Sequence, residues 1–323
     1  METYKGTVGP EVRNSMRLDR YISEVLRLVS RSQVKARNMS ARVNGTSVKV
    51  SRLVEAGDLI ELAWNPPEPT TLIPEELSFD ILYEDDRVIV INKAQGLVVH
   101  PGAGNKRGTM ANGLLFRRNQ KFLVGSGMDK PLENDGSPML RPGIVHRLDK
   151  DTSGVIIATY DDDALNFLAD QFKRRLTRKT YVAIIRGRLP KPRGRIETFI
   201  ARDKHNRKLF CCTKDQGKPS VTLYRVVQEF GAYSLVLLRP KTGRTHQLRV
   251  HMRYLGCPIL GDPLYSGRDP RFPEATLMLH ALRLSITLPG QGKPSRFTAP
   301  LPERFKVLLR TLKEDPLEKD SSR

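Results

Sequence analysis

Polar side chains able to do chemistry crowd into one turn, HRLDKDTSG (His146–Gly154), clamped between apolar Ile144-Val145 and Val155-Ile156-Ile157. That clamping predicts a loop at the ends of buried strands, where a rigid scaffold holds its side chains in place. Asp149 lies between Arg147 and Lys150, whose positive charges favour the ionised carboxylate. An anionic carboxylate acts as nucleophile or base, not as general acid. Spacing alone favours a plainer reading: Asp149 bonds its own backbone, and Thr152-Ser153-Gly154 is ordinary turn chemistry.

Two further segments carry unusual side chains. In LTRKTYVAIIRGR, Tyr181 opens an apolar strand just after Arg178 and Lys179. An aromatic among cations stacks on a base while the cations hold phosphate, with stacking worth ~1–3 kcal/mol per base. Core or edge packing is the commoner use of such a tyrosine. In RPKTGRTHQLRVHMRYLG, Pro240 and Gly243 end a strand and a helix is predicted over about Thr245–Leu255. Leu248, Met252 and Leu255 form its packed stripe. Arg249 and Arg253 share another face, which a solvated basic surface would equally show. His246 and His251 fall on different faces, so no metal site is expected; His100 and His146 are equally unsupported as ligands.

The elements that must position these residues divide the chain. Residues 1–16 are polar and read as a flexible N-terminus. Over residues 17–63, Leu18, Tyr21, Ile22, Val25 and Leu26 form a helical stripe, and a second short helix runs from Ser30 or Ser32 to about Met39. Asn44-Gly45 then turns a hairpin, and a last strand covers Leu59–Leu62. A proline-rich stretch, residues 64–76, reads as a linker. Residues 77–312 form the larger domain, with 121–142 a long mobile loop and 313–323 a frayed tail. Strands are predicted at Ile81–Tyr83, Val88–Ile91, Leu97–Val99, Gly154–Ala158, Thr180–Ile185, Val221–Val227, Ser234–Leu238 and Leu279–Leu288. Helices are predicted at Asp161–Arg175 and around Phe305–Leu312. Many strands, few helices and no regular alternation give an α+β fold with a mixed, largely antiparallel sheet, plus a small αβ module.

Composition narrows the partner. A net charge of +20 points to a polyanion, with nucleic acid ahead of an anionic membrane surface. Between Glu11 and Arg52, ten Lys/Arg face three Asp/Glu. No stretch approaches the ~20 apolar residues of a spanning helix, and the start lacks a signal-peptide core. Three cysteines without a CxxC, two of them in the apolar run LFCC where burial is expected, fit a reducing cytosol. No GxGxxG or P-loop supports a nucleotide cofactor, and no HxE with PCxxC supports a zinc deaminase. A glycosidase would need two facing carboxylates, and Asp151 reads as a turn residue.

Residues 17–50, with RLD, SRSQ and RVNG, resemble an S4 RNA-binding domain. HRLDKDTSG, KTYVAIIRG, TGRTHQLRVHM and LGCPILGDPLY, with VINKAQGLVVHPGAGN and LMLHALRL, together resemble the RluA-type family of RNA pseudouridine synthases. The similarity runs from about Arg17 to Leu312. It implies a pseudouridine synthase fold and isomerisation of uridine within RNA. The N1–C1′ bond breaks, the base turns, and C5 joins C1′, with no cofactor and no metal. The S4-like module and HPGAGN point to members that modify large-subunit ribosomal RNA.

The resemblance makes Asp149 the essential carboxylate, acting by covalent attack or as a base at the 2′ carbon. Tyr181 would stack on the flipped base, Arg249, rather than Arg244, would pair with Asp149, and Leu248 would pack against the site. Arg147 would fill the space the base vacates, and Arg244 with Arg17, Arg20, Arg31, Lys35 and Arg42 would contact RNA. The stretch 121–142 is longer than the family pattern and lies where it would touch RNA. A monomeric cytoplasmic enzyme is expected. The alternative is a ribosome-assembly RNA-binding protein whose main role is not catalytic.

Overall fold

The structure is a computed structural model describing residues 2–12, 14–26, 28, 29, 34, 39–65, 72–102, 104–126, 143–206 and 208–314. The chain forms two compact units, Met1–Thr71 and Leu72–Arg323.

In the first unit, the strands are β1 (Glu2–Thr7), β2 (Met16–Arg17), β3 (Ser40–Val43), β4 (Thr46–Val48), β5 (Leu53–Val54) and β6 (Leu59–Trp64). They form a sheet in the order β1-β6-β3-β4 and a separate β2-β5 pair. A helical turn Leu18–Arg20 continues as a π-helical turn Tyr21–Val25, burying Leu18, Tyr21 and Ile22 on the predicted stripe. The second predicted helix lies almost wholly outside the described residues. Asn44 and Gly45, at φ 51° and 78°, turn the β3–β4 hairpin. Two expectations fail here. Residues 2–7 are not loose: β1 pairs with β6 along its whole length, and Lys5 meets Glu61 across the strands at 2.7 Å. Backbone pairing, not apolar alternation, holds this polar edge strand, so its sequence carries no strand signal. Trp64 is not linker but the last residue of β6, buried in the core of this unit.

The second unit contains β7 (Ile81–Glu84), β8 (Val88–Lys93), α1 (Met110–Ser126), β9 (Ser153–Thr159), α2 (Asp162–Lys173), β10 (Arg178–Arg186), β11 (Arg193–Arg202), β12 (Phe210–Thr213), β13 (Lys218–Phe230), β14 (Tyr233–Pro240), α3 (Gln247–Tyr254), β15 (Leu279–Ile286), β16 (Ser295–Thr298) and α4 (Glu303–Glu314). Its ten-stranded sheet runs β12-β11-β13-β14-β10-β15-β9-β8-β7, with β16 on β15. Only the β15–β9 pair is parallel among the described strands, so the fold is α+β with a mixed, largely antiparallel sheet. The central strands are covered on both faces. Val88, Val90, Val155 and Ile157 join one core, and Ile89, Ile91, Ile156 and Ala158 the other, as a period of two requires.

Four boundaries move. Residues 72–76 belong to this unit: Asn112 Nδ2 donates to Ile73 O at 2.8 Å and Gly108 N–H to Glu75 Oε2 at 2.8 Å. Leu97–Val99 is not a strand; the carbonyls of Val98 and Val99 accept the first N–H groups of α1. Residues 121–126 continue α1 rather than open a loop, and 127–142 lie outside the described residues. Lys313 and Glu314 finish α4, whose Phe305, Leu308 and Leu312 are buried. Cys211 and Cys212 sit half-buried on edge strand β12, Cys212 packed against a small core of Ile200, Val250 and Tyr265. Among the described residues no helix is long and apolar enough to cross a membrane.

Candidate active site

Asp149 is placed by what grips the turn before β9. Gly154 has φ 112°, and a Cβ there would lie 2.3 Å from Ala281 O, so only glycine lets β9 close on its parallel neighbour β15. Ser153 Oγ lies 2.8 Å from His280 Nδ1 on β15 and accepts Arg304 Nη2 at 2.6 Å. From the end of β8, the fully buried Lys93 ammonium donates to the carbonyls of Ala94, Leu97 and Lys150 at 2.8–2.9 Å. Burial, opposed by the charges of Asp151 and Asp149, lowers the Lys93 pKa to about 8. The Thr152 N–H bonds the backbone carbonyl of Asp149 at 3.1 Å. The turn chemistry is therefore made by the main chain, which leaves the carboxylate for other work.

That carboxylate meets α3. His246 at φ 54° swings the chain into the helix, and Arg249 follows within its first turn. The expected solvated face is not where Arg249 lies: it is 5% exposed. Its Nε and Nη2 donate to Asp262 Oδ2 and Oδ1, each at 2.7 Å. Asp262, fully buried, also accepts the N–H groups of Leu264 and Tyr265 through Oδ1 at 2.9 and 3.1 Å. The third guanidinium nitrogen, Nη1, reaches Asp149 Oδ2 at 3.3 Å. Burial alone would lower the Arg249 pKa; the Asp262 hydrogen bonds and charge, then Asp149, outweigh it and raise it. Asp149 thus faces a fixed cation. Its Oδ1 has no hydrogen bond among the described residues.

His246 completes this corner. Its Nδ1 is 2.9 Å from Tyr265 Oη and its Nε2 4.0 Å from Asp149 Oδ2. Burial, against the pull of Asp149, lowers its pKa.

Asp149, Tyr181, Leu248, Arg249, Arg147 and Arg244 all line one cavity of about 510 Å³, between the starts of β9 and β10 and the end of β14. Tyr181 is half-buried, its phenol pushed up by burial and then by the charge of Asp149. Among the described residues Asp149 is the cavity's only lining carboxylate. Arg244 instead donates from Nε to Pro219 O at 3.1 Å, and Arg147 is exposed. Five of the expected RNA-binding residues belong to the other unit, three of them among the described residues. Arg17 pairs with Asp19 and Arg20 with Glu24, and Arg42 faces Glu61 across β3–β6. Arg31 and Lys35 lie outside the described residues.

Sequence reasoning missed Asp262 and Lys93. Both sit inside stretches that carried the resemblance, LGCPILGDPLY and VINKAQG, where a buried-charge partner was the signal to look for.

Three histidines predict acid sensitivity. Burial, with the charge of Lys179 adding to it, lowers His146 to about 3; burial lowers His251 to about 4, and burial with the charge of Arg304 lowers His280 to about 4. His146 Nε2 accepts the Ile157 N–H at 3.2 Å, and His251 sits between Thr198 and Thr222 hydroxyls. The unfolded chain binds these protons near pH 6.5 and the folded chain does not. Stability is therefore full above pH 6.5 and falls as pH drops, each histidine contributing up to ~1.4 kcal/mol per pH unit. Urea midpoints measured from pH 7 to 4.5 should fall accordingly; a flat profile would contradict the neutral assignment.

A lone carboxylate braced by a buried arginine, beside a tyrosine in a cation-lined cleft of a mixed sheet, defines an enzyme of polyanionic substrates rather than a passive binder. Residues 87–254 match the family RNA pseudouridylate synthase. The chain is 44% identical over 302 residues to ribosomal large subunit pseudouridine synthase D of Borreliella burgdorferi, covering 92% of this chain and 89% of that protein. It is 38% identical to the protein of that name from Neisseria meningitidis serogroup A, covering 92% and 79%. Human RNA pseudouridylate synthase domain containing 4 superposes with a TM-score of 0.55 at 26% identity, covering 72% of this chain and 92% of that one. The chain belongs to the RNA pseudouridylate synthase family, and it is an isomerase acting on uridine in RNA.

Proposed function

We propose that this enzyme converts uridines of large-subunit ribosomal RNA to pseudouridine, with Asp149 as its catalytic carboxylate. The observation that carries the reading is the Asp149–Arg249 pair at 3.3 Å, opening one free carboxylate oxygen to a cavity with no second carboxylate among its described lining residues. A single carboxylate suits an isomerisation in which nothing is hydrolysed, and it argues against the two-carboxylate glycosidase arrangement. Arg249, neutralised on its far side by Asp262, sets a fixed positive charge beside Asp149 without consuming both of its oxygens. Preorganised charge of this kind acts without rearrangement when the glycosidic bond breaks.

The target base must leave its stack to be reached. Tyr181 stacks on it, Leu248 packs behind it, and Arg147 at the rim fills the place it leaves. The free oxygen of Asp149 then either bonds C1′ as N1 departs, or takes the proton from C2′. In the first route C5 of the turned uracil bonds C1′ as the Asp149–C1′ bond breaks; in the second N1 departs as the C2′ proton leaves, and that proton returns to C2′ as C5 bonds C1′. In both, the C5 proton is lost and N1 gains one. Residues 17–63 act as an S4-like module whose cations add phosphate contacts. The enzyme works as a monomer in the cytoplasm, without metal or cofactor. The names of the Borreliella and Neisseria relatives support the ribosomal substrate.

Pseudouridine mapping across all RNA of cells with and without the gene tests this. Loss of specific pseudouridines in large-subunit RNA is expected. Unchanged large-subunit RNA with losses elsewhere would overturn the substrate assignment.

A further inference from the structure

Lys179 carries a charge that no carboxylate among the described residues neutralises. It stands on β10 two residues before Tyr181, and strand alternation turns both side chains to the cavity. Arg178, one residue earlier, lies instead with Leu176 and Ser285 outside it. The Lys179 Nζ is 5.6 Å from the Phe172 ring centroid. On the facing loop, a Cβ built on Gly243 would meet nothing but that same Nζ, at 3.9 Å, so the slot between them is open.

The side chain is half-buried, and burial lowers its pKa. The one carboxylate among the cavity's described lining residues, Asp149, already faces Arg249. Holding an ammonium partly out of water with no carboxylate beside it among the described residues is unfavourable in the free protein. An anion arriving with the substrate offsets that cost. Arg175 and Lys241 line the same cavity, also without carboxylate partners among the described residues, so the local field favours an anion there.

We propose that Lys179 binds a phosphodiester oxygen of the RNA strand at the target nucleotide, in the slot between Phe172 and Gly243. This rests on reading the cavity as the place where uridine is isomerised. A charged donor gains most from a full anion rather than a base carbonyl. Two residues along a strand span roughly 7 Å, which sets Lys179 at the backbone of a nucleotide whose base lies on Tyr181.

The test uses the full chain carrying Lys179→Met or Lys179→Arg, with transcribed large-subunit ribosomal RNA as probe and binding measured across salt concentrations. Removing a single lysine–phosphate pairing lowers the slope of log affinity against log salt by about 0.7–0.9. The Met variant should show that drop, bind about tenfold more weakly at low salt, and lose kcat/KM chiefly through KM. The Arg variant should restore the slope. Removing an unpartnered half-buried charge should also leave the melting temperature unchanged or raise it by a few degrees.

A wild-type slope in the Met variant overturns the proposal, including the case where kcat alone falls, which would mean that Lys179 meets the base. A marked fall in melting temperature overturns it too, since Lys179 would then be structural. The slope is read without turnover. If the wild-type chain forms no pseudouridine, the reading of the cavity fails while the slope still decides on Lys179.

Discussion

Replacing Asp149 with asparagine is expected to abolish pseudouridine formation, by at least about 10⁴-fold, the scale on which loss of a nucleophile or base appears in kcat. RNA affinity should stay within about threefold. The substitution keeps the shape of the side chain and removes its charge. Arg249 remains held by both oxygens of Asp262, so the surrounding fold has no reason to shift. The cations of the cavity also remain, and phosphate contacts dominate RNA affinity. Tritium release from RNA labelled at C5 of uridine, alongside filter binding, reads both quantities. Turnover within tenfold of wild type would remove Asp149 from the chemistry. The same variant separates catalysis from a non-catalytic role in ribosome assembly. If assembly is the main function, cells carrying Asp149→Asn should assemble subunits normally, whereas cells lacking the protein should not.

The apolar strands were legible because they are buried on both faces. VIVIN and GVIIA form β8 and β9, and YVAII and SLVLL lie in β10 and β14. Elements whose stability comes from backbone pairing were not. In β11 the deeply buried residues are Ile196 and Ile200, four apart, among Arg193, Arg195, Glu197 and Arg202; that spacing mimics a helix. Helix α1 opens MANG, with Gly113 pressed so close to Phe79 that a Cβ would lie 2.5 Å from the ring. A tertiary contact sets that residue, and local pattern does not show it. The site divides the same way. Asp149, Tyr181 and Arg249 stand in recognisable segments, yet i,i+4 spacing placed Arg249 with Arg253 on a basic face. Only Asp262, thirteen residues on and beyond the helix, explains why that guanidinium is buried. Lys93 is the same case, since the carbonyl it holds at Lys150 is fifty-seven residues away.

The dependence of Arg249 on Asp262 leads to the second large effect. Asp262→Ala removes a fully buried carboxylate that takes two guanidinium hydrogen bonds and two backbone N–H groups. What stays behind is a buried cation with one distant partner, a change that costs about 3–5 kcal/mol. In a unit of this size that lowers the melting temperature by on the order of 10 °C. Activity should fall further than stability explains. Freed from Asp262, the guanidinium can turn two of its nitrogens onto Asp149 and occupy the oxygen that is now open to the cavity. Assayed well below its melting temperature, Asp262→Ala should therefore lose at least about a hundredfold in kcat, the cost of withdrawing a preorganised charge, with little change in RNA affinity. Asp262→Asn keeps one acceptor for the Leu264 and Tyr265 N–H groups but sets an amide donor against the guanidinium, so it should fall between the two. Full activity in the folded alanine variant would show that Arg249 needs no anchor, and that Asp262 serves the fold alone.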